Sequence, residues 1–172
     1  MSSTETTVPD APLRLDHRAD RGAVATERLC LTFDARARSR STGWLESGIE
    51  VTILLPRGSV MRGGDKLRSA DGRVIEVVSA CEPLFEVSVV DAARAAQAAY
   101  HLGNRHVAVE IRDGALRVAR DAVLERMLRG LGLEPKCVDG PFEPEGGAYG
   151  ESHTHGGAAH ALAPVIHEYR RS

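Results

Sequence analysis

The sequence predicts an α+β protein: a small all-β N-terminal domain, a ferredoxin-like β-α-β-β-α-β domain, and a flexible histidine-bearing tail. Three observations predict it. From Arg28 to Leu84 the apolar residues fall in short, β-branched or alternating runs separated by Gly and Pro turns. After Pro83 the apolar period lengthens to helical spacing in two places. Beyond Pro144 no core pattern returns until a short amphipathic stretch at 161–169.

Residues 1–12 are rich in Ser, Thr, Pro and acidic groups and read as disordered. The β-rich domain is expected over 13–85. Leu29, Leu31 and Phe33 alternate as a strand, and Val51 to Leu55 and Val74 to Val78 are β-branched runs. Pro56-Arg57-Gly58, Gly63-Gly64-Asp65 and Asp71-Gly72 supply turns, and no helix is expected before Leu84.

The second domain is expected over 86–144. Phe85 to Val90 reads as a strand ending at Asp91, a good N-cap. The Ala-dominated stretch 92–102 is a helix that closes at Gly103. Val107, Val109 and Ile111 alternate as a strand, Asp113-Gly114 turns the chain, and Leu116 and Val118 form the partner strand. Asp121 caps a second helix, with Leu124, Met127, Leu128 and Leu131 on one face, and 134–139 supplies the last strand. Residues 145–172 form the tail.

Composition excludes several functions. Aromatics are 4% of the chain, so the cores must be built from Val, Leu, Ile and Ala. A net charge of −2 with both signs well mixed offers no phosphate-binding surface, and strands 107–112 and 115–120 carry no aromatic for base stacking, which argues against a nucleic-acid partner. No run is long or apolar enough for a signal peptide or a membrane helix. Cys30, Cys81 and Cys137 form no CxxC pair or disulfide frame and read as small apolar core residues of a cytoplasmic protein.

The chemistry lies in the histidines. His153, His155 and His160 sit in a Gly/Ala tail, with His167 further on, and neutral imidazole is a good donor to borderline divalent metals. A Gly-rich tail gives no rigid support for catalysis, so metal capture is the expectation. His106 opens a strand on the face opposite Val107, Val109 and Ile111, and its imidazole faces either solvent or a partner chain. His101, on the last helical turn, reads as interacting with the helix dipole and is a secondary metal candidate. One or two histidines cannot saturate a divalent cation, whereas a two-fold dimer presents each ligand twice. A metal-dependent hydrolase using His101, His106 and Glu110 lacks a His-Glu-x-x-His signature.

Three segments together resemble the urease accessory protein UreE family of nickel metallochaperones. They are Leu31 to Arg40 with Leu54-Leu55-Pro56-Arg57-Gly58 and Gly63-Gly64-Asp65; Tyr100-His101-Leu102-Gly103-Asn104-Arg105-His106; and Phe142 to Gly150, leading into His153 and His155. The resemblance implies no enzyme but a homodimer joined by its ferredoxin-like domains. In it His106 of each subunit shares one nickel ion, with zinc or copper as competing ions in vitro, and tail histidines complete the shell. It also implies a β domain, similar to a chaperone peptide-binding module, that faces the urease accessory GTPase and the apo-urease complex. Some members carry a His-x-His pair where this chain has Arg120 and Ala122, so that auxiliary site is not expected here.

Overall fold

The computed structural model describes residues 12–89 and 91–146. Six strands build the first sheet: β1 (Leu13–Ala19), β2 (Glu27–Leu31), β3 (Arg40–Trp44), β4 (Glu50–Leu54), β5 (Lys66–Ser69) and β6 (Val74–Ser79). Their order is β2-β6-β5-β1-β4-β3, with β1–β4 and β2–β6 parallel and the other neighbours antiparallel. The two edges curl towards each other, because Leu29 of one edge strand, β2, bridges Leu45, just past the other, β3. Gly43 sits where a Cβ would stand 3.0 Å from Leu29 Cδ1, so the close approach of β3 to β2 needs glycine there.

Alternation explains which residues the sheet encloses. Leu15, Leu29, Val51, Ile53, Leu67, Ile75 and Val77 are fully buried in one aliphatic core with Met61. Cys30 lies between the buried Leu29 and Leu31 and therefore points outward; Cys81 and Cys137 are exposed as well. The expectation of core cysteines is overturned, because the leucines already take the inward positions.

A second correction concerns Phe33. It begins a four-residue helix, α1 (Phe33–Arg36), instead of extending the Leu29–Leu31 strand. Thr32 caps this helix, its hydroxyl accepting from Ala35 N. Arg36 at its end is wholly buried, which nothing in its local sequence suggested.

The remaining elements follow as β7 (Cys81–Ser88), α2 (Ala92–Gly103), β8 (Glu110–Arg112), β9 (Ala115–Ala119), α3 (Ala122–Gly130) and β10 (Lys136–Pro141). Asp91 and Asp121 cap the two helices as expected, accepting from Ala93 N and from Val123 N and Leu124 N. The sheet order is β10-β7-β9-β8, every neighbour antiparallel. Phe85, Val87, Leu116 and Val118 of this sheet pack with Ala98, Leu102, Leu124 and Leu128 of the helices. Among the described residues no helix is long and apolar enough to cross a membrane.

One strap joins the two halves. After β10 the chain runs from the β10 edge of the second sheet to its β8 edge, where Glu145 N donates to Val109 O at 2.8 Å. Four strands at about 4.8 Å spacing are about 14 Å across, which five extended residues can span. On the way Phe142 is buried edge-on against Phe33, ring centroids 5.6 Å apart.

Candidate metal site and the domain junction

The candidate residues His101 and His106 are positioned by the end of α2. Arg105 N donates to Leu102 O, His106 N to Gly103 O at 2.9 Å and Val107 N to Leu102 O at 3.2 Å. These last two bonds form a Schellman cap, in which the residue at the His106 position turns left-handed. His106 does so, with φ 55°, and it is the sole non-glycine residue with positive φ among those described. Glycine takes that conformation without strain, whereas an L-residue is disfavoured by its Cβ. Leu102 is buried in the helix–sheet core and Val107 packs against that core, so the apolar contact that accompanies this cap is present.

The expected strand entry at His106 is therefore corrected. The helix ends at Gly103 as expected, but His106 lies in the turn that follows and β8 starts only at Glu110. Gly103 closes the helix but is not its left-handed residue: Asn104 stays in the right-handed region, and the apolar anchors Leu102 and Val107 place the left-handed turn at His106. His106 is exposed. His101, half-buried one turn earlier, meets the Tyr100 ring edge-on at 5.4 Å.

Glu110, proposed above as a partner of these histidines in a hydrolase, is 6% exposed and its Oε1 accepts from Arg112 Nε at 2.8 Å. It is cross-strand partner to Arg117, whose neighbours Leu116 and Val118 face the helices, so Glu110 lies on the sheet face away from them. Its Oε2 has no hydrogen-bond partner among the described residues. Among the described residues no three His, Cys, Asp or Glu side chains are grouped closely enough to hold a metal ion. His153, His155, His160 and His167 lie outside the described residues.

Arg120, where the resemblance left open an auxiliary histidine site, has a structural task. Its Nε donates to Leu84 O at 3.1 Å and its Nη2 to Val138 O and Asp139 Oδ1, tying β7 to β10. A guanidinium has no lone pair to offer a metal.

The junction between the two sheets brings together residues that no local sequence pattern links. The Glu143 carboxylate accepts from Arg36 Nη1 at 2.8 Å, from Gly63 N at 2.9 Å, from Arg62 Nη1 and from Ser79 Oγ. Arg36 also donates to Leu31 O, Met61 O and Phe142 O. Arg62 Nη1 reaches Pro144 O, and Glu82 Oε1 accepts from Phe33 N at 2.6 Å. Gly63 must lack a side chain: a Cβ there would stand 2.7 Å from Ser79 Oγ and 3.0 Å from Glu143 Oε1. The adjoining Asp65, 6% exposed, accepts from Arg62 N, Arg18 and Arg21, which holds the Gly63-Gly64 turn. Burial alone would raise the pKa of either carboxyl. Hydrogen bonds outweigh it, from Ser79, Gly63 and Arg36 at Glu143 and from Arg62 and Arg18 at Asp65, so both sit below their ordinary values.

The junction thus brings together residues far apart in sequence: Phe33 and Arg36, Arg62 and Gly63, Phe142 and Glu143. It lies at the end of the second sheet where β10 finishes and β8 begins, which is also where the turn carrying His106 enters β8.

Comparison with known proteins covers both halves. Residues 13–80 match the family described as UreE urease accessory protein, N-terminal domain, and residues 82–170 match its C-terminal domain. A urease accessory protein UreE of Burkholderia vietnamiensis is 48% identical over 128 residues, 74% of this chain and 64% of that protein. Those of Dechloromonas aromatica and Nitrosospira multiformis are 42% and 41% identical, each covered over 93% of its length by 86% and 91% of this chain. The chain thus spans just under two thirds of the length of the Burkholderia relative and nearly all of the other two. It belongs to the UreE urease accessory protein family.

Proposed function

We propose that this chain is a nickel-binding metallochaperone that carries nickel during assembly of the urease active site. The observation that carries the reading is the exposed, left-handed His106 at the end of α2. A residue in a sparsely populated conformation that glycine would take more easily points to a task for its side chain. Imidazole suits nickel, and an exposed ligand on a turn allows the ion to leave again, as a carrier requires.

In this reading two copies meet through their C-terminal halves and His106 of each binds one shared ion. Tyr100 and Ile111, 65% and 57% exposed, supply apolar surface on the helix and strand flanking the turn. His153, His155 and His160 complete the shell, with His101 as an outlying ligand. The strand order β10-β7-β9-β8 supports a ferredoxin-like arrangement for residues 86–144, followed by a tail over 145–172. The β-rich domain, 13–85, faces the urease accessory GTPase and the apo-urease complex in the cytoplasm, and the chain performs no catalysis. Copper would outcompete nickel on affinity alone, so selectivity rests on supply and geometry.

Nickel titration of the intact protein with native mass measurement tests this. One ion per dimer is expected, with His106→Ala abolishing the tightest site, since one substitution removes a ligand from both chains. Binding should weaken as pH falls through about 6–7, where imidazole protonates. Unaltered nickel affinity in the His106 variant would sink the shared site.

A further inference from the structure

The sheet of the N-terminal half closes on itself at one end only. There Glu46 N donates to Arg28 O at 3.1 Å and Leu29 bridges Leu45, joining β2 to β3. Continued in the same register, this seam would set Thr32 opposite Thr42. That rung is not made among the described residues: Thr32 O accepts from Arg36 N at 3.0 Å instead, as Thr32 turns the chain into α1. On its other side β3 pairs with β4, where Leu55 N donates to Ser39 O and Leu45 N to Ile49 O. Bonding alternates along an antiparallel pair, so Ser41 and Gly43 bond to β4. The N–H and C=O of Arg40 and Thr42 therefore point to the open edge.

Beside this edge lies a cleft of about 460 Å³ whose walls include Asp34, Arg38, Arg40, Ser41 and Thr42. Ser41 Oγ is buried and has no hydrogen-bond partner among the described residues. Arg38 is paired with Asp34, whereas Arg40 is exposed and makes no salt bridge among the described residues. An unpaired strand edge is a template for another strand. A second copy of β3 laid on it would bring Arg38 and Arg40 of both chains together, and like charges facing each other are unfavourable. We propose that the β3 edge at Arg40 and Thr42 is a docking strip for an extended, acidic segment of a partner protein. The segment adds as a strand between β3 and α1. Its backbone bonds to Arg40 and Thr42 supply the grip, and carboxylates at alternate positions face the arginines. The inference needs neither the nickel site nor the identity of the partners proposed above.

The test uses the full chain and a probe peptide of about six residues, one strand long, that alternates threonine and glutamate. In the chain alone, the amides of Arg40 and Thr42 should exchange with solvent at least about tenfold faster than those of Ser41 and Gly43. Equal protection at all four shows that the edge is already filled and overturns the proposal. The probe should slow exchange at Arg40 and Thr42. It should also shift the emission of Trp44, the sole tryptophan, 64% exposed and two residues further along the same strand face. No slowing at about 1 mM probe overturns the strip. Equal binding of the same peptide with lysine in place of glutamate overturns the acidic partner. Protection at the two amides that rises with protein concentration alone gives the edge to a second copy instead and overturns the assignment. Thr42→Pro removes an edge donor without touching the β4 ladder and should abolish probe binding while nickel affinity stays unchanged. Undiminished probe binding in it overturns the strip. Arg40→Ala should weaken the probe by up to about fivefold, the worth of one exposed ion pair. If Thr42→Pro loses nickel binding and fold together, Arg40→Ala decides, and unchanged probe affinity there overturns the proposal.

Discussion

The His106 turn and the Glu143 socket lie at the same end of the C-terminal sheet and are built on opposite principles. The socket is over-satisfied: one carboxylate, four donors, a buried guanidinium and a glycine that leaves room for them. The turn is under-satisfied: an exposed imidazole on a backbone that its own Cβ disfavours. A ligand that must release its cargo gains from accessibility, and strain is tolerated where the surrounding cap over-determines it. The group that sets where the chain runs gains from having no alternative. Two regions at one end of a sheet can thus be exposed and fixed without either spoiling the other.

The largest effect that sharpens this contrast comes from the socket. Arg36→Ala should cost about 3–5 kcal/mol, because it strips a half-buried carboxylate of a cation and leaves the Leu31, Met61 and Phe142 carbonyls short of a donor. Urea unfolding measures it, and a loss under about 1 kcal/mol would mean that water replaces the guanidinium and the socket is not tight.

Next in size is the strain in the turn. His106→Gly should be more stable than His106→Ala by about 1–2 kcal/mol, since the left-handed conformation costs an L-residue that much. Thermal unfolding of the two variants gives the difference, while both should lose the tightest nickel site. Equal stabilities would show that the cap relaxes and stores no strain.

Arg120→Ala should cost about 1 kcal/mol through its bonds to Leu84 O and Val138 O and leave nickel binding unchanged. A change in metal affinity would connect the β10 edge to the site.

The smallest expected effect is acid sensitivity. The pKa values of Glu143 and Asp65 are depressed in the fold, so their stabilising contribution is complete above the unfolded values near 4 and disappears as pH falls through the lower folded ones. Unfolding free energy measured from pH 6 to 2.5 should therefore drop below about pH 4. Glu143→Gln should flatten part of that drop and leave the part due to Asp65.

Much of the C-terminal half was legible because its signals are local. Asp91 and Asp121 cap helices whose apolar residues recur within one or two turns, and Asp113-Gly114 turns β8 into β9. The segment Tyr100 to His106 stood out as the candidate site, but its conformation did not. Gly103 gave the stronger local signal for a helix end, and the packing of Leu102 and Val107 moved the left-handed residue to His106. Phe33 was misread for a related reason: alternation with Leu29 and Leu31 carried through it, while Thr32 capped a helix there and Phe142 waited on the far side.

By itself the sequence determined the kinds of elements and their order in the second half, the positions of its helix caps and the family resemblance, since each depends on residues within a few positions of one another. The tertiary structure decided the pairing of β1 with β4 and β2 with β6, the outward turn of the cysteines, the burial of Arg36 and the path of the strap. Arg36 and Glu143 are 107 residues apart, and an ion pair across that span has no period to betray it. Its cost in desolvation and its gain in hydrogen bonds both arise only once the two halves have folded around it.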